Sequence, residues 1–347
     1  MQLRRLDALA ASSRHLALSF ALLGLLPTAS LCHGQIGPTA KLPGRAGSPV
    51  AQAANHDAQT PSYSFTIVNF PGAMTTAASG MNLGVANAKI EIVGGGGPEA
   101  GGQIAESFLI RVSGTKTVTE TYQTVNDPHI SGKQAAIGIN DSGQIVGFGA
   151  DSSGVEHGYE RSKGKFTTLN VPFAGATGTQ AYAINNAGEI VGTWYDAAGT
   201  GHGFTLIADT YTSFDYPGAL FTFGFAVNSK GDIVGQYQDT AGWHGYMLSG
   251  GSYSSLDFPG ATGTFPDGIN DADEIVGGYC TTSECASTYY GAQGFLLSNG
   301  TYTTIVVPGE TTFNFVVGIN NDGIMLGLYE DAAEIESSFL ATPSGTR

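Results

Sequence analysis

Positive charge is scarce in this sequence. Its 347 residues contain 14 Lys and Arg against 29 Asp and Glu, which gives a formal net charge of −15 at pH 7. Nucleic acids and anionic membranes attract proteins chiefly through Lys and Arg, so a chain this acidic is a poor partner for either. We therefore expect no nucleic-acid binding and no attachment to an anionic membrane.

Long apolar runs are equally rare. The run LALSFALLGLL at 16–26 follows three arginines and precedes Pro27 and small residues, which is the order of a secretory signal peptide. Its apolar core is too short to span a bilayer of about 30 Å as a stable helix. We predict that residues 1–34 are a signal peptide and that the mature chain is soluble and secreted, either extracellular or periplasmic. Residues 35–60 mix Pro, Gly, Ala and polar residues without periodicity, and predict a disordered linker.

Cysteine is nearly absent, and only Cys280 and Cys285 remain once residues 1–34 are removed. A secreted location favours oxidation, so we predict a local disulfide between them. The loop that it closes is short, so its role would be to hold one loop rather than to stabilise the whole fold. A metal site would need further soft ligands nearby, and the sequence offers none. No metal and no cofactor is predicted.

Catalytic signatures are missing as well. The sequence contains no serine nucleophile elbow, no HExxH, no phosphate loop and no dinucleotide fingerprint. Neighbouring acids occur, but such pairs are expected by chance in so acidic a chain. The sequence therefore predicts no catalytic residue.

What is present is a repeat. Four short elements recur six times from residue 61 onward: an aromatic-led strand ending in Pro, a strand ending in Asn, an Ile-Val-Gly strand, and a small residue followed by an aromatic one. The Asn residues that mark the second element are Asn82, Asn140, Asn185, Asn228, Asn270 and Asn320. From Asn140 on they are 42 to 50 residues apart, which is the size of one four-stranded propeller blade.

The order of the elements predicts how such a ring closes. A Pro-ending strand comes first, at 65–70, before any Asn-ending strand, and none follows the final copy of the fourth element at 337–343. If the Pro-ending strand is outermost, 65–70 pairs with the last blade and removes the exposed edges of an open sheet. We predict an all-β fold with a single domain over 61–347, a six-bladed β-propeller closed by this pairing. A seven-bladed propeller, an open β-solenoid and two smaller sheets are the alternatives.

The repeated polar residues have structural interpretations. In INxxGxIVG the Asn and the first Gly bracket a tight hairpin turn, and the last Gly allows a close approach or a bulge. The Asp of DSSG, DAAG and DTAG opens a second turn by accepting backbone N–H bonds, with a cation-collecting ring as the alternative. His157, His202 and His244 occupy one equivalent position in three repeats, too far apart for one metal, and we predict that they form hydrogen bonds.

The repeat unit resembles the HAF repeat of secreted bacterial proteins, which is named after a His-small-Phe triplet. His202, Gly203 and Phe204 form that triplet here, and the resemblance covers about 65–343. It is strongest in copies two to five. The resemblance implies export and a propeller fold, and it brings no enzymatic activity with it.

We predict a secreted, non-catalytic scaffold, monomeric, that binds a glycan or an extracellular protein at one mouth of the propeller, because loops carry binding in such scaffolds. The candidate binding residues are aromatic and acidic residues near the second turn of the blades: Trp194, Tyr195, Tyr237, Trp243, Tyr279, Tyr329, Asp196 and Asp239. For the aromatic residues the alternative is packing between blades.

The loop 279–292, YCTTSECASTYYGA, departs furthest from the repeat among the later copies and is the candidate for specificity. The alternative function is an extracellular polysaccharide lyase or hydrolase with acids at the channel rim. It would need two carboxyl groups with separated pKa values in one axial pocket.

Overall fold

The computed structural model describes residues 62–69, 75–84, 90–97, 106–113, 119–309, 313–331 and 336–344. The predicted signal peptide and linker lie outside these ranges. Within them the chain is almost entirely β-structure. The elements, in chain order, are β1 (Tyr63–Ile67), β2 (Thr75–Met81), β3 (Ile90–Gly97), β4 (Glu106–Ser113), β5 (Thr119–Thr124), β6 (Gln134–Ile139), β7 (Ile145–Ala150), β8 (Glu156–Ser162), β9 (Lys165–Leu169), β10 (Gly178–Ile184), β11 (Ile190–Tyr195), β12 (Gly201–Ile207), β13 (Thr210–Phe214), β14 (Phe221–Val227), β15 (Ile233–Gln238), β16 (Trp243–Ser249), β17 (Ser252–Ser255), β18 (Gly263–Ile269), β19 (Ile275–Cys280), α1 (Ser283–Thr288), β20 (Gln293–Ser298), β21 (Thr301–Ile305), β22 (Phe313–Ile319), β23 (Met325–Glu330) and β24 (Glu336–Pro343).

The strands form four-stranded antiparallel units in a β-propeller arrangement, so the all-β prediction is confirmed. In each unit the strand that ends at the repeated Asn is innermost, and the Ile-Val-Gly strand, the His strand and the Pro-ending strand follow in order. Units β2–β5, β6–β9 and β10–β13 are separate sheets, whereas β14–β17 and β18–β21 are joined by one bridge between Trp243 and Gly263. Within the described ranges, no helix has both the length and the hydropathy that a membrane span requires.

The two ends of the described chain meet in the last unit. Strands β22, β23 and β24 follow one another, and the fourth strand beside β24 is β1. Phe65 lies opposite Ala341 and Ile67 opposite Phe339 in an antiparallel register. The backbone N–H of Val68 then donates to the carbonyl of Ser338 at 2.9 Å. The first Pro-ending segment therefore lies beside the last strand, as the order of the elements predicts.

The core lies in the layers between neighbouring units. The aromatic residue of each His strand is fully buried, and burial of such a ring stabilises the fold by about 2–3 kcal/mol. It sits against the glycine of Ile-Val-Gly, where a side chain has no room: a Cβ on Gly235 would lie 1.9 Å from the carbonyl oxygen of Phe223 and 2.8 Å from the hydroxyl of Tyr246. The predicted close approach at this glycine is confirmed.

The repeated Asn holds its own turn and also reaches the next unit. Asn185 Oδ1 accepts from the backbone N–H groups of Ala187 and Glu189, both at 3.0 Å, and Gly188 adopts a φ of +84°. Asn185 Nδ2 donates to the carbonyl of Asn228, one repeat further, at 2.9 Å. The same inter-repeat bond links the other successive Asn pairs from Asn140 to Asn320. The turn was predicted from the sequence, but the link between repeats was not.

Candidate functional site

Each inner strand carries a β-bulge three residues before its Asn. In β10, Ala181 pairs with Gly192 and Ala183 with Val191, which leaves Tyr182 as the extra residue. A bulge of this kind turns a side chain away from the ladder. The bulged residues of all six inner strands line one central channel, and we call them the waist residues: Ser79, Ile137, Tyr182, Phe225, Asp267 and Val317.

Two cavities meet at the waist residues. The smaller, about 70 Å³, runs toward the repeated Asn residues and is lined mainly by glycine, alanine and aliphatic side chains. The larger, about 100 Å³, runs the other way, and we call it the axial chamber. Its walls beyond the waist residues are Gln236, Tyr289, Phe313, Phe315 and Leu328. Because Phe313 is the first residue of β22, the chamber lies toward the mouth where the inner strands begin.

The loop 279–292 contributes a wall of the axial chamber. Cys280 and Cys285 form the predicted disulfide. Helix α1 begins after Thr282, whose Oγ1 accepts from the backbone N–H of Cys285 at 3.2 Å, and it ends at Tyr289 with a left-handed φ of 59°. The disulfide, the cap and this turn together direct Tyr289 back toward the axis.

Tyr289 is buried among aromatic neighbours. Its ring lies 4.6 Å from that of Phe265 and 6.2 Å from that of Phe315, measured between centroids. On the opposite part of the wall, Tyr182 and Phe225 meet edge to face at 4.9 Å. Five of the eleven described lining residues are aromatic and three are aliphatic, so the axial chamber is mostly apolar, which is the usual character of a small-ligand site.

Asp267 is the one carboxyl among the described residues that line the axial chamber. Gln236 Nε2 donates to its Oδ1 at 3.0 Å, while Oδ2 makes no hydrogen bond within the described part of the chain. The side chain of Asp267 is partly accessible to water, but protein atoms surround it densely. This desolvation outweighs the hydrogen bond from Gln236 and raises the pKa of Asp267 to about 8. At neutral pH the carboxyl therefore holds its proton.

Nothing basic offsets that acid. No Lys, Arg or His belongs to the chamber lining in the ranges that the structure describes. The other polar group at the waist, Ser79 Oγ, is buried and has no hydrogen-bond partner among those residues. Asp267, Gln236 and Ser79 thus give the chamber three polar groups with unused hydrogen-bonding capacity, set in an apolar wall.

A second buried acid lies behind the wall. Gln180 Nε2 donates to Glu156 Oε2 at 2.5 Å, and the hydroxyl of Tyr182 donates to Gln180 Oε1. Burial raises the pKa of Glu156 to about 7, against the opposing hydrogen bond from Gln180. Glu156 does not line the chamber, so the described lining holds one carboxyl and not the pair that a hydrolase of the predicted kind would require.

The aromatic residues that the sequence proposes for binding at one mouth of the propeller are mostly buried. Trp194, Tyr195, Tyr237 and Tyr279 are buried, with exposed fractions of 6 to 8 %. Trp243 and Tyr329 are half-buried. None of the six belongs to the described lining of the axial chamber. Four of these rings are therefore packed inside the protein, and ligand binding by the six aromatic residues stays a prediction.

The repeated histidines cover two of these rings. Trp194 stacks on His202 at 4.6 Å, and Tyr237 stacks on His244 at 5.0 Å. His202 Nδ1 lies 2.9 Å from Asp215 Oδ1 and its Nε2 lies 3.6 Å from Asp196 Oδ2. The histidines therefore have the predicted hydrogen-bonding role, and each is held between two loops of its own unit.

Asp196 and Asp239 hold the second turns. Asp196 Oδ1 accepts from the backbone N–H groups of Ala198 and Thr200, each at 2.8 Å. The hydrogen bond from Thr200 is the largest of the causes that lower the pKa of Asp196. Asp239 does the same with Ala241 at 2.6 Å. Both side chains thus serve the turns, as the sequence predicts for the repeated Asp. No group of three or more His, Cys, Asp or Glu in the described ranges is arranged to hold a metal ion.

Sequence reasoning missed the waist residues, although the sequence carries a signal for them. The position three before the Asn is Ser, Ile, Tyr, Phe, Asp and Val in the six repeats, between flanking positions that are small or aliphatic. Chemical variety at one position of a regular repeat marks a residue type that the common packing of the units does not fix.

The chain matches no protein-family model and no curated protein. Among solved structures, a triple mutant of AofleA from Arthrobotrys oligospora superimposes with a TM-score of 0.50 at 10% identity, over 84% of this chain and 90% of that chain. A fungal lectin from Aleuria aurantia, described as a six-bladed β-propeller with a novel fucose recognition mode, gives 0.46 at 10% identity over 81% and 99%. The β-propeller domain of the trilobed protease from Pyrococcus furiosus gives 0.42 at 10% identity over 78% and 96%. At such identities the first likeness shows a shared fold alone.

Proposed function

We propose that this protein is a secreted, non-catalytic binding propeller that takes one small group of its ligand into the axial chamber. The observation that carries the proposal is the convergence of non-repeating residues on one axis. Six bulges direct six different side chains inward, and the loop 279–292 adds Tyr289 from outside the repeat. In a scaffold whose repeated residues serve packing, the residues that vary and converge are those available for recognition.

The proposal includes a closed ring of six blades of the HAF-repeat type. The pairing of β1 with β24 supports it, and so do the contacts of the first inner strand, β2, with both β6 and β22. The Asn ladder from Asn140 to Asn320 supports it further, since each link joins one repeat to the next. An open solenoid would leave its first and last units apart.

The ligand in this proposal is a glycan or an extracellular protein, and the protein acts as a monomer. A chamber of about 100 Å³ has room for about three water molecules, so it admits a terminal group and not a chain. The disulfide between Cys280 and Cys285 supports an extracellular or periplasmic location, because such bonds persist in oxidising compartments.

The test is a panel of glycans and candidate extracellular proteins incubated with the purified protein, scored for both retention and cleavage. We expect retention without products. The variant Ser79→Leu fills the waist and should abolish retention, while Ser254→Leu, on the exposed face of an outer strand, should leave it unchanged. Release of products would favour the hydrolase alternative, and equal retention by both variants would place binding outside the chamber.

A further inference from the structure

We propose that the group bound in the axial chamber is a small organic cation, an ammonium head group carrying methyl or methylene substituents. This inference rests on the proposed function, because it names the chemistry of the ligand at the same site. It is carried by three features of the chamber: its aromatic walls, its one carboxyl without a basic partner, and its size.

The walls supply aromatic rings. Tyr182, Phe225, Tyr289, Phe313 and Phe315 all line the chamber. The face of an aromatic ring carries partial negative charge and attracts an ammonium group, more strongly when water is excluded. Methyl and methylene substituents on the same ammonium gain from burial against these rings. An aromatic enclosure of this kind therefore suits a substituted ammonium better than a hydrated inorganic ion.

The carboxyl of Asp267 supplies the countercharge. Its Oδ1 is held by Gln236, and its Oδ2 makes no hydrogen bond within the described part of the chain. No Lys, Arg or His among the described lining residues competes for it. A buried acid without a cation is costly to ionise, and an ammonium ligand would remove that cost. The net charge of −15 also draws cations toward the protein.

The polar content of the chamber argues against other ligand groups. A sugar ring presents several hydroxyl groups, and the polar groups of the described lining are Asp267, Gln236, Ser79 and two tyrosine hydroxyls. The hydroxyl of Tyr182 already donates to Gln180. Hydroxyl groups buried without partners would each weaken binding. An anionic group would meet a carboxyl and no cation. A methylated ammonium needs neither several hydrogen-bond partners nor a positively charged residue.

The experiment is calorimetric titration of the whole protein with tetramethylammonium chloride, with tert-butyl alcohol as a neutral compound of similar size. We expect one tetramethylammonium per chain and at least tenfold weaker binding of the alcohol. The variant Asp267→Asn should weaken tetramethylammonium binding at least tenfold. Asp209→Asn, an exposed acid in the turn between β12 and β13, is the matched control and should bind like the unaltered protein.

A pH series separates Asp267 from its neighbours. Since the ionised carboxyl binds the cation, affinity should rise about tenfold between pH 7 and pH 9. Of the other groups that face Asp267, burial raises the pKa of Tyr182 and Tyr289, so both stay neutral over this range, and Gln236 and Ser79 do not titrate. Glu156 reaches Tyr182 through Gln180, so the rise should persist in Glu156→Gln and disappear in Asp267→Asn.

The outcomes keep the two proposals apart. If tetramethylammonium fails to bind while a panel ligand is retained and lost in Ser79→Leu, the cation inference is wrong and the proposed function stands. If tetramethylammonium binds equally to Asp267→Asn, or if the alcohol binds as tightly, the inference is also wrong. If no panel ligand and no cation is retained by the folded protein, both fail.

Discussion

The side-chain amide of Asn185 donates a hydrogen bond of 2.9 Å to the backbone carbonyl of Asn228, one repeat further along the chain. Both residues are almost fully buried. The same side chain closes its own turn through Oδ1. One residue type therefore serves two structural purposes at the ends of the inner strands β6, β10, β14 and β18, which explains why the repeat requires it.

Replacement of this residue should be costly. Asn185→Ala leaves two turn N–H groups without partners and removes the hydrogen bond that joins this repeat to the carbonyl of Asn228, and we expect the free energy of unfolding to fall by about 2–4 kcal/mol. Chemical denaturation measures the change. Ser142→Ala, at an exposed position in the turn of the preceding repeat, should cost less than about 1 kcal/mol. Equal losses from the two variants would refute the role assigned to Asn185.

The glycine of the Ile-Val-Gly strand gives a steric prediction. A Cβ on Gly192 would lie 2.1 Å from the carbonyl oxygen of Gln180, so Gly192→Ala must displace backbone and should destabilise by about 3 kcal/mol or prevent folding. Gly178 is the first residue of β10, the strand beside β11, and a Cβ there would lie 3.6 Å from its nearest atom. Gly178→Ala should therefore change stability by less than about 1 kcal/mol. Thermal unfolding of both variants decides the matter, and a mild effect at Gly192 would contradict the packing described.

Regular features of the fold could be predicted from the sequence because they repeat. The Asn turns from Asn140 to Asn320, the glycine contacts and the Asp turns each recur at similar spacing, so their common purpose is structural. The pairing of β1 with β24 followed from the order of the elements alone. The bond from each Asn to the next repeat could not be predicted, because it depends on how neighbouring units are stacked.

The residues proposed for binding were harder to predict for the opposite reason. Trp194 and Tyr237 recur at one position, which is a mark of packing, and the structure buries both under histidines. Asp267 belongs to no repeated pattern, and only the bulge in β18 directs it to the axis. A sequence does not show which residue of a strand a bulge will turn.

The disulfide should act locally. In the double variant Cys280→Ala and Cys285→Ala we expect the free energy of unfolding to fall by about 2 kcal/mol, because the closed loop is short. Hydrogen exchange of α1 and Tyr289 should rise by at least tenfold, while the amides of β6–β9 that exchange through local opening should not change. Unchanged protection of α1 would show that the disulfide does not position Tyr289.

Buried Glu156 should make stability depend on pH. Its pKa is about 7 in the folded protein against an ordinary 4.5, so its contribution is fully present below pH 4.5 and is lost as pH rises through 7. The difference corresponds to about 3 kcal/mol. Between pH 4 and pH 9 the free energy of unfolding of Glu156→Gln, measured by chemical denaturation, should decline less than that of the unaltered protein. Glu284→Gln, an exposed acid on α1, is the control and should retain the full slope.

The most direct measurement is the titration of Asp267 by carboxyl ¹³C NMR, with and without tetramethylammonium. We predict that one carboxyl signal of the free protein titrates with a pKa near 8 and that this signal is absent from Asp267→Asn, which assigns it. The pKa should fall clearly when the cation is added. A pKa near the ordinary value of 3.8, unmoved by the cation, would mean that the carboxyl is solvated or already paired. That result would contradict an axial chamber built around an uncompensated acid.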